Sequence, residues 1–376
     1  MGSSIRLFKV RGITIRMHLT FPLILVWGAV QFGLLTGRGL TGAIFGVVVT
    51  LLLFVIVVLH ELGHSFAALH YGVPVKQITL LPIGGLAQLA RIPEEPRQEF
   101  VIAIAGPLVN FGLAILLFLF SLTLGQKVEV AGPGAMLENM GTLSFQAFFN
   151  YVFISNLFLG VFNLLPAFPM DGGRVLRALL ASRMDYARAT SIAVSVGQSM
   201  AWLLGLWGFL GGGFFLILIA IFIYLGAGQE GQLVRLRHVL GGLTVEQAYS
   251  RQARSLSPQA TLRDAIGLTL STFQADFPVC EDDQLVGLLP YARLVEALDH
   301  HGPDIPVSEV MITDITPVTP GEGMFAVQQR LAENNLGALP VVEDGRFLGL
   351  ITSRDINELY RLVSSQPDLM VAVQTG

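Results

Sequence analysis

Charge is scarce in this chain. Only 13% of its 376 residues are Lys, Arg, Asp or Glu, while 53% are hydrophobic, a balance too apolar for an ordinary soluble protein. Cationic excess is also lacking. The 23 basic and 27 acidic residues leave a net charge of −4, which excludes the electrostatic footprint of a nucleic-acid-binding protein. Cysteine is nearly absent. A lone Cys280 cannot close an internal disulfide, which fits a reducing compartment. No small-residue cleavage site follows the first apolar run, so the basic start with Arg6, Lys9, Arg11 and Arg16 does not read as a signal peptide.

What the chain does have is apolar and unevenly spread. Residues 1–228 are mostly long hydrophobic runs, and 243–376 read as an ordinary soluble domain. Six spans are expected, over about 19–35, 40–69, 100–124, 143–165, 189–206 and 214–228. Residues 5–16 alternate apolar and basic, as in a short surface strand. Basic residues gather in the N-terminus, in 71–99, in 174–188 and at Arg235 and Arg237. By the positive-inside rule these segments are cytoplasmic. Both termini of the multi-pass protein are then cytoplasmic, and the C-terminal ends of spans two and four share the cytoplasmic leaflet.

The soluble part repeats itself. Asp276-Phe277-Pro278-Val279-Cys280-Glu281-Asp282 aligns with Ala338-Leu339-Pro340-Val341-Val342-Glu343-Asp344 at an offset of 62, which also pairs Gly287-Leu288 with Gly349-Leu350. Each unit reads as helix, strand, strand, helix, and two such units would share one core. The partition expected is a membrane domain over 1–228, a linker over 229–242, repeats over 243–303 and 304–364, and a tail over 365–376. The fold class is an α-helical polytopic membrane protein with a short β segment, followed by an α/β pair.

Span two carries the chemistry. His60-Glu61-Leu62-Gly63-His64 lies near its C-terminal end. Residues four apart share a helix face, so both imidazoles can address one ion. Ionisable groups are costly inside a membrane and are functional by default. Glu61 sits beside the pair, placed to accept a proton from water at the metal. A zinc site needs a further protein ligand. Asp171 is the candidate, within Asn163-Leu164-Leu165-Pro166-Ala167-Phe168-Pro169-Met170-Asp171-Gly172-Gly173-Arg174. Its prolines and glycines break a helix where only a buried or wet site tolerates it. A loop aspartate paired with Arg174 or Arg177 is the alternative.

H-E-x-x-H in a membrane helix, followed about a hundred residues later by N-x-x-P-x-x-P-x-D-G, resembles the site-2 proteases, intramembrane zinc metalloproteases, in their prokaryotic branch with a C-terminal CBS pair. The resemblance implies one Zn2+ held by His60, His64 and Asp171, with Glu61 as general base. Met170 stands where the family has Leu. The resemblance also implies that Asn163 faces substrate or the oxyanion, and that Gly84 and Gly85 belong to a hairpin beside the active site. Gly106-Pro107-Leu108-Val109-Asn110 matches a family segment in which Asn110 reads first as a packing or hydrogen-bonding residue. The P-V-V-E-D-G…T-S-R-D pattern resembles a CBS domain. This implies an adenine nucleotide (ATP or AMP) bound through Thr352 and Asp355 with help from Thr316. Pro290 and Arg293 replace the first two in repeat one, so that site is expected to be lost.

The implied activity is metalloendopeptidase cleavage of a transmembrane protein near the cytoplasmic leaflet. Anti-sigma or pro-sigma factors are the substrates that the resemblance suggests. The implied surroundings are the lipid bilayer and a homodimer through the CBS pair. Connections 71–99 and 125–142 are too short for an inserted PDZ domain. Two rival readings make different demands on the chain. A CBS-regulated transporter or channel would show repeat symmetry among its spans, and none is visible. A non-proteolytic chaperone relative would most simply lack Glu61.

Overall fold

The computed structural model describes residues 4–82, 84–89, 94–123 and 143–365. The connection 125–142 and the tail beyond Ser365 lie outside the described residues. The chain divides into two compact units, residues 1–232 and 233–376.

In the first unit, β1 (Ser4–Val10) and β2 (Ile13–His18) form a hairpin that turns at Arg11 and Gly12, both with positive φ. The basic start is thus two strands rather than one. Helix α1 (Phe21–Leu35) follows, then α2 (Leu40–His70). Strands β3 (Val75–Leu81) and β4 (Gly84–Leu89) precede α3 (Pro96–Thr123) and α4 (Phe145–Asn163). Helices α5 (Asp171–Ala181), α6 (Tyr186–Leu210) and α7 (Phe214–Leu240) complete the series. Five of these, α2, α3, α4, α6 and α7, are long and apolar enough to cross a membrane. The first expected span is the exception. β2 runs to His18, and α1 starts only at Phe21-Pro22. Its 15 residues cover roughly 22 Å, against a hydrocarbon core of about 30 Å. At the other end, α7 continues through 229–240, the stretch expected to be a linker.

The four strands form a mixed sheet in the order β1-β2-β3-β4, with β2 and β3 parallel and the outer pairs antiparallel. The alternation of β2 buries Ile13 and Ile15 against Phe54 and Leu62 of α2 and Ile102 of α3. The sheet is therefore seated on the two helices that carry the histidines and their partners.

The second unit has the expected repeat. Helix α8 (Leu262–Thr272), β5 (Phe277–Glu281), β6 (Gln284–Leu289) and α9 (Tyr291–His301) are matched by α10 (Met324–Asn334), β7 (Ala338–Glu343), β8 (Arg346–Thr352) and α11 (Ser353–Ser365). The strands join in the order β5-β6-β8-β7. The cores cross over the sequence repeat. Leu243 and Val245, which lead into repeat one, are buried with Val318, Met324 and Val341 of repeat two. Val307, which leads into repeat two, is buried with Leu262, Phe277 and Val279 of repeat one. Thr244 bridges to Gly323 and Pro306 to Thr261, which ties each leading segment to the other repeat.

Candidate metal centre

α2 is helical through His64 because nothing in its apolar run interrupts it, and its length places His60 and His64 one turn apart. The α4 helix ends at Asn163, ahead of Pro166, and the chain restarts as α5 with Asp171 as its first residue. This folds the aspartate back onto α2. The three nearest donor atoms form an almost equilateral triangle. His60 Nε2 to His64 Nε2, His60 Nε2 to Asp171 Oδ2 and His64 Nε2 to Asp171 Oδ2 are each 3.1 Å. Zinc bonds of about 2.0–2.1 Å place tetrahedral ligands roughly 3.3 Å apart, so the donor set fits that ion in type and spacing. His60, His64 and Asp171 are the one group of His, Cys, Asp or Glu able to hold a metal among the described residues. All three are buried, at 5%, 8% and 9% exposure. Of the alternative partners of Asp171, Arg177 is engaged instead by Glu99 and Glu230.

The imidazoles are oriented from behind by α3. His64 Nδ1 donates to the Ile102 carbonyl at 2.7 Å, and His60 Nδ1 meets Asn110 Oδ1 at 2.8 Å. Holding each Nδ1 this way leaves Nε2 as the lone-pair donor toward an ion, the usual arrangement behind metal-bound histidines. Gly106 lies between these contacts. A Cβ there would fall 2.2 Å from His64 Nε2 and 2.8 Å from His60 Nε2, so only glycine leaves room for the ring pair. Asn110 thus has a sharper role than packing. The Ile102 carbonyl could not be found from side-chain chemistry, because any residue supplies one.

Glu61 is half-buried beside the triangle. A Cβ on Gly85 would lie 2.7 Å from Glu61 Cγ, so β4 crosses directly over the glutamate. Gly84 opens that strand with φ of 144°. The Asn163 amide donates to the Leu159 carbonyl of its own helix at 3.0 Å. In the second unit, Thr352 Oγ1 donates to Asp355 Oδ2 at 2.8 Å, and the Thr352 N–H donates to the same oxygen at 2.9 Å. The pair closes the start of α11 as a cap. Thr316 is exposed. Burial pushes the Cys280 thiol up to about 11, which makes it a poor nucleophile.

Residues 48–204 match the model of peptidase family M50, and residues 307–361 match that of the CBS domain. A zinc metalloprotease of Methanocaldococcus jannaschii is 36% identical over 98% of this chain and 99% of its own length. A relative from Synechocystis, also named as a zinc metalloprotease, is 30% identical over 95% of each chain. A solved site-2 protease from Methanocaldococcus jannaschii is 42% identical, covering 61% of this chain and 95% of that one at a TM-score of 0.44.

Proposed function

The chain belongs to the M50 family of zinc metalloproteases, the site-2 proteases, and from that premise we propose that it hydrolyses a peptide bond in a membrane-spanning protein at the cytoplasmic leaflet. The observation that carries this reading is the 3.1 Å triangle of His60, His64 and Asp171 in the buried part of a membrane unit. In this reading the three residues hold zinc. When bound, the ion polarises the scissile carbonyl and lowers the pKa of the attacking water. Glu61 accepts the proton of that water and passes it to the leaving amine.

Peptide supply follows from the sheet. A transmembrane helix satisfies its own backbone, so it must be unwound before it can be cut. Among the described residues β4 pairs with β3 alone, and Gly85 sets it against Glu61. We assign its outer edge to the unwound substrate, received as an added strand. Asn163 is assigned to the oxyanion once substrate displaces its bond to Leu159. Asn163→Ala is then expected to slow cleavage at unchanged zinc content.

The finer assignments extend from here. Substrates are membrane-held regulators, with anti-sigma and pro-sigma factors the classes suggested by the family. We assign both termini to the cytoplasm on the basic segments; because β2, before α1, and β3, after α2, pair in one sheet, α1 and α2 together return the chain to the side it left. The CBS pair takes an adenine nucleotide through Thr352, Asp355 and Thr316, tunes proteolysis and mediates a homodimer. Proteomics of a strain carrying Glu61→Gln tests the whole reading. Membrane stubs that accumulate there and vanish with the wild-type enzyme are expected. An unchanged membrane proteome would contradict it.

A further inference from the structure

α3 does more than pack against the site. Glu99, Ile102, Gly106 and Asn110 are spaced by three, four and four residues and lie along one buried stripe of this helix. Asn110 orients His60, Ile102 orients His64, and Gly106 admits both rings. Glu99 continues the same stripe, and it binds Arg177. The Arg177 Nε–H donates to Glu99 Oε1 at 2.8 Å, with Nη2 closing on the same oxygen. Nη1 donates to Glu230 Oε1 of α7 at 2.5 Å. The guanidinium carbon stands 4.9 Å from the ring centres of Phe168 and Tyr186. Arg177 is 0% exposed.

Its position relative to the third ligand is what matters. Arg177 is six residues after Asp171 on α5, and Phe168 is three residues before it. The guanidinium therefore grips the chain on both sides of Asp171 and fastens it to α3 and α7. Burying such a charge is costly unless its pairing is excellent, and plain packing would not need it. We propose that Arg177 is a positioning residue for Asp171. Through Glu99 it registers the third ligand to the same helix that registers the two histidines. This rests on the reading of Asp171 as a metal ligand.

The test uses full-length protein in detergent, with zinc affinity measured by chelator competition and the site's geometry by the visible bands of cobalt(II) substituted for zinc. Arg177→Lys keeps the charge but loses the planar fork and the stacking. It is expected to weaken zinc binding by about 10–100-fold, as loss of a ligand's supporting partner does, and to change the cobalt spectrum. Unaltered zinc affinity and spectrum in folded Arg177→Lys would overturn the proposal and leave the cluster a purely structural tie. Asp171→Asn separates the two levels. If it also leaves zinc affinity intact, the ligand reading itself fails; if it weakens zinc and Arg177→Lys does not, only the positioning role fails. Should Arg177→Lys not fold, Glu230→Gln decides by the same readings, since that side chain is 18% exposed. Weakened affinity then supports the proposal, and unchanged affinity overturns it.

Discussion

The two units bury opposite things. Among the described residues, every buried polar or charged side chain, from Thr50 through His60, His64, Glu99, Asn110, Asp171 and Arg177 to Thr190, belongs to the first unit. The two main cores of the second unit are wholly apolar, built from residues such as Val318, Val341 and Ile351, or Leu262, Phe277 and Val279. Among the described residues the outsides differ in degree, the second unit exposing few large apolar side chains, Leu270 and Phe273 among them. The first unit exposes Leu34, Trp202, Phe209 and Phe215, each by at least 70%, as a surface solvated by lipid tails can. In water, burying apolar side chains drives folding. Lipid supplies no such drive between helices, which leaves packing and polar contacts to specify how they meet. The first unit therefore concentrates its polar groups where they set geometry. The second holds its shape by ordinary burial, and none of its described polar residues is fully buried.

That contrast can be broken most severely at Gly106. Gly106→Ala places a methyl group where both imidazoles stand, so zinc content should drop to background while the second unit melts as before. Metal analysis and calorimetry of the same sample check both halves. The converse change is Ile351→Ala, in an apolar core at 0% exposure. It should cost the second unit about 2–5 kcal/mol and leave zinc stoichiometry untouched, as denaturant unfolding of each unit would show. Asn110→Ala removes the acceptor behind His60 and should weaken zinc by about 10–100-fold, read by chelator competition. The smallest effect is at Thr352→Ala. Loss of the cap on α11 should destabilise the second unit by about 1 kcal/mol, and calorimetric titration with AMP should show weakened binding. An unaffected titration would remove Thr352 from the nucleotide site.

Much of this was legible in the residues. His60, His64 and Asp171 were visible because ionisable groups stand out in apolar spans and because the prolines around Asp171 announce a broken helix. The 62-residue offset revealed the repeat of helices and strands. Other features have no such signature. The crossing of leading segments between repeats depends on which of two similar apolar surfaces Leu243 and Val307 meet, and both patterns look alike. The short α1 depends on where β2 stops, and pairing of His18 with Ser4 of β1 carries that strand to its end. The Glu99–Arg177–Glu230 cluster joins residues 78 and 53 positions apart, and each alone reads as an ordinary loop or helix-end charge. Its place beside the ligands appears only when α3 is seen as one stripe.

The central claim is that a buried triad from α2 and α5 holds one catalytic zinc. Metal analysis of purified wild type and of Asp171→Asn tests it most directly. One zinc per chain in the wild type and much less than one in the variant is the expected result. Equal zinc in the two proteins, or none in an active wild type, would contradict it.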